Sequence, residues 1–171
     1  MATVFEVLGV HANERYAEQA AHAAFDLADR LERDLSRFLP NSDVARINQL
    51  TAGGTARVSG STMECLVIAR HLFDVTGGAF DVSIGTGLPS LELDGDDCVV
   101  RAATGGVRID LGGIGKGYAV DLMAELLEEW ELGPALVHGG FSSVLALEAP
   151  PARDGWPLTL SDPCAPSRVL A

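Results

Sequence analysis

The sequence is poor in cysteine and in positive charge. Its three cysteines, Cys65, Cys98 and Cys164, are widely spaced and form no Cys-x-x-Cys pair, so neither a disulfide framework nor a zinc site is predicted. The 12 Lys and Arg are outnumbered by 24 Asp and Glu, which gives a net charge of −12. Binding to nucleic acids and to anionic membranes requires Lys and Arg to neutralise phosphates. The charge therefore argues against both partners and makes any anionic ligand dependent on a local cation or a metal.

Long hydrophobic runs are also missing. No stretch approaches the roughly 18 apolar residues of a membrane span, and no basic segment precedes an apolar one as in a signal peptide. The compartment stays open, with the cytoplasm as the default expectation; an exported protein would need a leader that this sequence does not contain. The chain has 171 residues, of which 47% are hydrophobic. This size and composition predict one globular domain.

The most informative stretch, residues 108–121, contains four closely spaced glycines: Gly112, Gly113, Gly115 and Gly117. Glycines allow positive φ angles and close backbone approach, so several amide N–H groups can point at one ligand. Apolar residues at helical spacing predict a helix from Tyr118, with Lys116 beside its positive end. Phosphate is the ligand that this pattern favours. The alternative is an ordinary strand-to-helix turn with a solvated lysine.

Two standard phosphate-binding motifs do not fit this stretch. A dinucleotide-binding fingerprint needs glycine where Tyr118 stands, and a P-loop needs Ser or Thr where Gly117 stands. The loop is therefore of a different type.

Periodicity predicts a mixture of strands and helices in irregular order. Strands are predicted at 3–10, 56–58, 91–93, 98–101, 107–111, 135–138, 143–147, 156–160 and 168–171, and helices at 14–35, 43–48, 61–75 and 118–130. Ser61 and Glu64 form a candidate capping box for the third helix. An alanine seam on the first helix predicts close packing on a sheet. The pattern indicates an α+β domain in which helices pack on a mainly antiparallel sheet.

A second notable stretch, residues 77–82, joins two glycines at a helix end to an aromatic ring and a carboxylate. Gly77 and Gly78 would end the helix, and Phe80 and Asp81 would follow in a loop that could line a pocket. The alternative is structural, with Phe80 in the core and Asp81 forming a turn.

Four stretches together resemble the FAD:protein FMN transferase family, formerly called thiamine-biosynthesis lipoprotein (ApbE). They are residues 1–7, 35–48, 76–81 and 110–121, and residues 137–140 fit the family's Gly-Gly strand end. The resemblance covers nearly all of this chain but only the earlier part of the family's domain. It implies a single ApbE-like domain over residues 1–171 that is incomplete at its C-terminal end relative to the family.

The resemblance also implies a reaction and its participants. Family members transfer the FMN half of FAD to a Ser or Thr hydroxyl of an acceptor protein, release AMP and use Mg²⁺. The residues at the FAD-contacting positions of the family are Met1, Phe38, Ala79, Phe80, Asp81, Asp110 and Lys116, and the carbonyl of Gly113 is at a magnesium-binding position. No residue is assigned as catalytic. The family's other magnesium ligands and its late histidine would follow Ala171, so a non-catalytic FAD-binding module or an inactive relative stays open as an alternative.

Overall fold

The computed structural model describes residues 3–140, 142–159, 161–162 and 164–169. The strands are β1 (Phe5–Gly9), β2 (Thr55–Arg57), β3 (Leu91–Asp94), β4 (Val99–Ala102), β5 (Ala135–Gly139), β6 (Ser143–Ala146), β7 (Ser161–Asp162) and β8 (Ala165–Val169). The helices are α1 (Glu14–Leu35), α2 (Asp43–Ile47), α3 (Gly60–Val75) and α4 (Gly115–Glu129). Short 3₁₀ turns cover Leu88–Ser90 and Leu111–Gly113.

The strands form three small sheets, ordered β1-β5-β6, β2-β4-β3 and β7-β8. Every strand pairing in the described part of the chain is antiparallel. Helices α1 and α4 pack together, and α4 lies on β5 and β6. The predicted α+β class with a mainly antiparallel sheet is confirmed.

Helix α1 begins where Asn13 accepts a hydrogen bond from the Tyr16 backbone N–H at 3.1 Å. Its buried seam of Ala20, Ala24 and Ala28 packs against α4 in one apolar cluster with Ala124. The seam was predicted to pack on a sheet. It packs instead on the helix that covers the sheet, since small side chains on both helices allow close approach.

Helix α4 joins the two apolar clusters of the core. Tyr118 and Ala119 belong to the cluster formed with α3 and the β2-β4-β3 sheet. Met123 and Leu127, both with no exposed surface, belong to the cluster under β1 and β5. Burial on both sides fixes the axis of α4, and with it the position of the helix start that carries the glycine-rich stretch.

Several predicted elements differ from the structure. Residues 107–110 form no strand, and a 3₁₀ turn follows at Leu111. Residues 156–159 form no strand, and position 160 lies outside the described residues. The last strand begins at Ala165, earlier than predicted, and positions 170–171 also lie outside the described residues.

The predicted capping box of α3 is wrong. The helix is capped by Ser59, whose Oγ accepts a hydrogen bond from the Thr62 N–H at 3.2 Å. Glu64 accepts a hydrogen bond from the Tyr118 hydroxyl at 2.7 Å, so it ties α3 to α4 instead of closing its own helix start. None of the described helices combines the length and apolarity needed to cross a bilayer.

Candidate functional site

Two side chains hold the segment before the glycine-rich stretch, residues 107–110. The Thr86 hydroxyl accepts a hydrogen bond from the Arg108 N–H at 2.8 Å. The amide of Asn48 donates to the Ile109 carbonyl at 3.0 Å and accepts from the Ile109 N–H at 2.6 Å. Arg108 adds a hydrogen bond from its guanidinium to the Asn48 carbonyl. These bonds satisfy backbone groups that a neighbouring strand would otherwise pair.

Asp110 comes next and is held at three points. Its N–H donates to the Val82 carbonyl at 2.8 Å, and Oδ1 accepts from the Gly112 N–H at 2.9 Å. Oδ2 pairs with Nε of Arg37 at 3.1 Å. Asp110 thus caps the 3₁₀ turn and joins this segment both to the loop containing Val82 and to the chain after α1.

Helix α4 starts at Gly115, three residues before the predicted start at Tyr118. Its N-cap, Ile114, has no side chain able to accept a hydrogen bond, and the Ile114 carbonyl accepts only from Tyr118 N–H at 3.1 Å. The amides of Gly115, Lys116 and Gly117 are in the first helical turn, whose N–H groups lack intrahelical partners. Lys116 is half-buried and forms no ion pair with any described residue. The positive end of the helix dipole and the Lys116 ammonium therefore lie beside the same cleft.

Positive φ angles, which glycine allows, do not occur in this stretch. Positive φ occurs at other glycines, and Gly112, Gly113, Gly115 and Gly117 all have negative values. These residues form right-handed turns because the 3₁₀ turn leads directly into α4. A Cβ at Gly113 would lie 3.4 Å from the Phe80 ring, whereas one at Gly117 would have no atom within 4 Å, so close packing does not require glycine at every one of these positions.

The loop after α3 brings Phe80 towards the glycine-rich stretch. Gly77 and Gly78 have φ angles of 59° and 82°, and the Thr76 hydroxyl accepts from the Phe80 N–H at 3.0 Å. This geometry turns the half-buried Phe80 ring onto Gly113. Phe80 is therefore adjacent to the site and also part of the core.

Asp81 forms its own turn, which is the structural alternative considered from the sequence. Oδ1 accepts from the Ser83 N–H at 2.8 Å and from the Ser83 hydroxyl at 2.7 Å, and Oδ2 accepts from the Gly85 N–H at 2.8 Å. Partial burial alone would raise the pKa of Asp81, but these hydrogen bonds outweigh it and hold the pKa below its ordinary value. A carboxylate held in this way is a weak base.

The pKa shift makes the contribution of Asp81 to stability depend on pH. We expect Asp81→Asn to lower the free energy of unfolding near pH 7 by about 1–2 kcal/mol, because charged hydrogen bonds are lost. The advantage of the wild type should be complete above the unfolded-state pKa of about 3.9 and vanish as pH falls through the lower folded-state pKa. Urea titrations from pH 3 to pH 7 measure this difference in the free energy of unfolding.

Asp74→Asn is the control, since Asp74 is exposed and its carboxylate has no partner among the described residues. A difference between wild type and Asp81→Asn that stays constant over this range would contradict the assignment.

Two neighbouring clefts converge on Asp110. One has a volume of about 180 Å³ and is lined by Lys116, Gly112 and Gly115. The other has a volume of about 490 Å³ and extends past Asn48 and Arg108. The residues that line both are Arg37, Phe38 and Asp110.

The structure brings together only part of the predicted set. Phe38, Asp110 and Lys116 line the smaller cleft, and the Phe80 ring lies 3.4 Å from the position that a Cβ of Gly113 would take. Ala79 and Asp81 line neither cleft. Met1 lies outside the described residues. Their predicted roles toward FAD stay predictions.

Sequence reasoning missed Arg37 and Asn48. Arg37 stands next to Phe38 in a stretch already singled out, and in a chain of charge −12 any cation beside a predicted site residue is a signal. Asn48 was interpreted only as the end of α2. Its bonds to Ile109 join residues 61 positions apart, for which the local pattern carries no signal.

The described residues do not by themselves make a magnesium site. Among them, no group of three or more His, Cys, Asp or Glu is placed to hold a metal ion. Both oxygens of Asp110, the closest carboxylate along the chain to Gly113, are already engaged by Gly112 and Arg37. A carbonyl alone at Gly113 is too little, because Mg²⁺ is normally bound through one or two carboxylates.

A mixed α+β fold with an uncapped helix start, a lysine and an arginine around one cleft defines a class of proteins suited to small anionic ligands. Sequence comparison places the chain more narrowly: the ApbE family matches residues 1–88 and 86–171. The chain belongs to the ApbE family. The resemblance seen in the sequence is thereby confirmed.

Solved structures show the same fold. The chain is 19% identical to the flavin transferase ApbE from Vibrio cholerae, with a TM-score of 0.79. The alignment covers 95% of this chain and 60% of that one. For the apo form of the Pseudomonas stutzeri flavinyl transferase ApbE, the identity is 19% and the TM-score 0.79, and the alignment covers 95% of this chain and 63% of that one. For the ApbE protein of Thermotoga maritima, the identity is 21% and the TM-score 0.81, and the alignment covers 98% of this chain and 65% of that one. This chain thus spans less than two thirds of each of these structures. No curated protein matches it significantly.

Proposed function

We propose that this protein takes part in protein flavinylation as an FAD:protein FMN transferase. The observation that carries the proposal is the cleft in which Lys116, Phe38 and Asp110 meet at the uncapped start of α4. Two structures that this chain resembles are named as a flavin transferase and a flavinyl transferase. An FAD molecule offers an aromatic ring system for Phe38 and a diphosphate for Lys116.

The proposed reaction is substitution at phosphorus. A Ser or Thr hydroxyl of the acceptor protein forms a bond to the phosphorus of the FMN half, the anhydride bond breaks, and AMP leaves while the hydroxyl loses its proton. The contribution of the chain is binding and charge stabilisation of the diphosphate. Asp81 is an unsuitable base because its pKa is lowered. We include Mg²⁺ as a proposed requirement but assign it no step, since the described residues do not complete a site for it.

The test uses the complete gene product, FAD and peptides that each carry one threonine. Covalent flavin would be detected as in-gel fluorescence and as a mass increase of FMN less one water. Parallel reactions with MgCl₂ and with EDTA show whether flavin transfer requires Mg²⁺. FMN in place of FAD is the control donor, because it has no anhydride bond, and a peptide with valine in place of threonine is the control acceptor. Absence of flavin transfer from FAD to all threonine peptides, despite tight FAD binding, would reject the transferase.

The second candidate is a non-catalytic FAD-binding module. It is favoured by the geometry of Asp110, because both of its oxygens are already engaged by Gly112 and Arg37 and this carboxylate is not free to anchor a metal. Quenching of FAD fluorescence at micromolar protein without any transfer would support it. If FAD fluorescence does not change at all, both candidates fail and an interaction scaffold is the better description.

A further inference from the structure

Arg37 is the charged residue that lines both clefts and that neither the sequence nor the family resemblance assigned to the site. It follows the end of α1, where Ser36 leaves the helix in an extended conformation. Two contacts orient its guanidinium: Nε lies 3.1 Å from Oδ2 of Asp110, and Cζ lies 4.6 Å from the centre of the Phe38 ring. The cation–π geometry and the ion pair together restrict a side chain that would otherwise be free.

These two contacts leave most of the guanidinium unused. Arginine has five N–H donors, and the pair with Asp110 uses the one on Nε. The terminal nitrogens have no partner among the residues that the structure describes. The side chain is 46% exposed, and Arg37 lines both clefts. The free donors therefore lie at the boundary between the cleft of Lys116 and the larger cleft.

The charge balance explains why an arginine is useful at this position. Asp110 alone would repel a phosphate, and the chain carries a net charge of −12. Arg37 neutralises the carboxylate through one edge and still has a second edge that matches the oxygens of a phosphate. A lysine could neutralise Asp110 but could not offer two parallel hydrogen bonds to a second partner.

We propose that Arg37 is a phosphate-binding residue, and that it makes this cleft selective for a flavin that carries a diphosphate over one that carries none. The inference rests on the proposed function, since it requires FAD to occupy the cleft. It differs from the known role of the family loops because it depends on the side chain that this sequence has at position 37.

The experiment measures dissociation constants for FAD and riboflavin by flavin fluorescence, at 50 mM and 300 mM NaCl. We expect Arg37→Gln to weaken FAD about tenfold at low salt, the lower end for a lost charged hydrogen bond because the site is partly exposed. The salt dependence of FAD binding should become shallower. Riboflavin affinity should not change. Arg37→Lys should be intermediate, and Arg30→Gln, an exposed α1 residue outside both clefts, is the matched control.

The outcomes separate this inference from the proposed function. Thermal melts first establish that each variant is folded. If the wild type does not bind FAD, both proposals fail. If the wild type binds FAD and folded Arg37→Gln binds it equally well, only the role of Arg37 fails. Tighter FAD binding by Arg37→Gln would mean that Arg37 occupies Asp110 and keeps it from FAD. An equal loss of FAD and riboflavin affinity would mean that Arg37 only supports Phe38. Either result overturns the proposal.

Discussion

Replacing Lys116 with glutamine should weaken FAD binding by about 10- to 100-fold, which corresponds to a lost hydrogen bond to a charged group. Lys116 is half-buried in the smaller cleft and has no anionic partner among the described residues. Its ammonium adds to the partial positive charge at the start of α4, so we expect the two to act together on the diphosphate of FAD. Fluorescence titration with FAD measures the effect, and Lys116→Arg, which keeps the charge, should retain most of the affinity.

The sequence offers an independent readout, because Lys116 is the only lysine in the chain. Acetylation with an amine-selective reagent can therefore modify only Lys116 and the terminal amine. Saturating FAD should protect Lys116, and mass spectrometry of the peptide that contains it would measure the protection. Equal acetylation with and without bound FAD, or unchanged FAD affinity of Lys116→Gln, would remove Lys116 from the binding site.

The parts of the fold that local patterns determine were predictable. Helix α1 has a capping residue at Asn13 and an apolar stripe through Leu35, and the structure has a helix with these limits. The loop at Gly77 and Gly78 was predicted from the same kind of signal, since positive φ at a helix end favours glycine. In both cases the information lies within one segment.

The glycine-rich stretch shows why the rest was harder. Glycine is compatible with positive φ, with helix and with close packing, so its presence does not decide among them. Burial decided here: Leu111 and Tyr118 are both in the core, and joining them requires the 3₁₀ turn and an early helix start. The ion pair between Arg37 and Asp110 depends in the same way on packing across the domain.

Replacing Asn48 should give the second large effect, because its side chain holds the backbone of Ile109, the residue next to Asp110. Asn48→Leu removes both the donor and the acceptor that satisfy Ile109, whose side chain is 2% exposed. A buried polar group left unpaired costs about 1–3 kcal/mol, so the two backbone groups together predict a loss of about 2–6 kcal/mol in the free energy of unfolding. Urea denaturation measures this loss.

The loss should be local as well as global, since the bonds from Asn48 hold the segment that carries Asp110. The amide of Ile109 should lose hydrogen-exchange protection in Asn48→Leu, and FAD affinity should fall because Asp110 and Arg37 are no longer held in place. Gln49→Leu is the matched control: the neighbouring side chain is exposed, so stability and exchange at Ile109 should stay as in the wild type. If the Ile109 amide kept its protection in Asn48→Leu, the segment would be held by its own packing. The position of Asp110 would then follow from burial of Ile109 and Leu111 instead of from the asparagine.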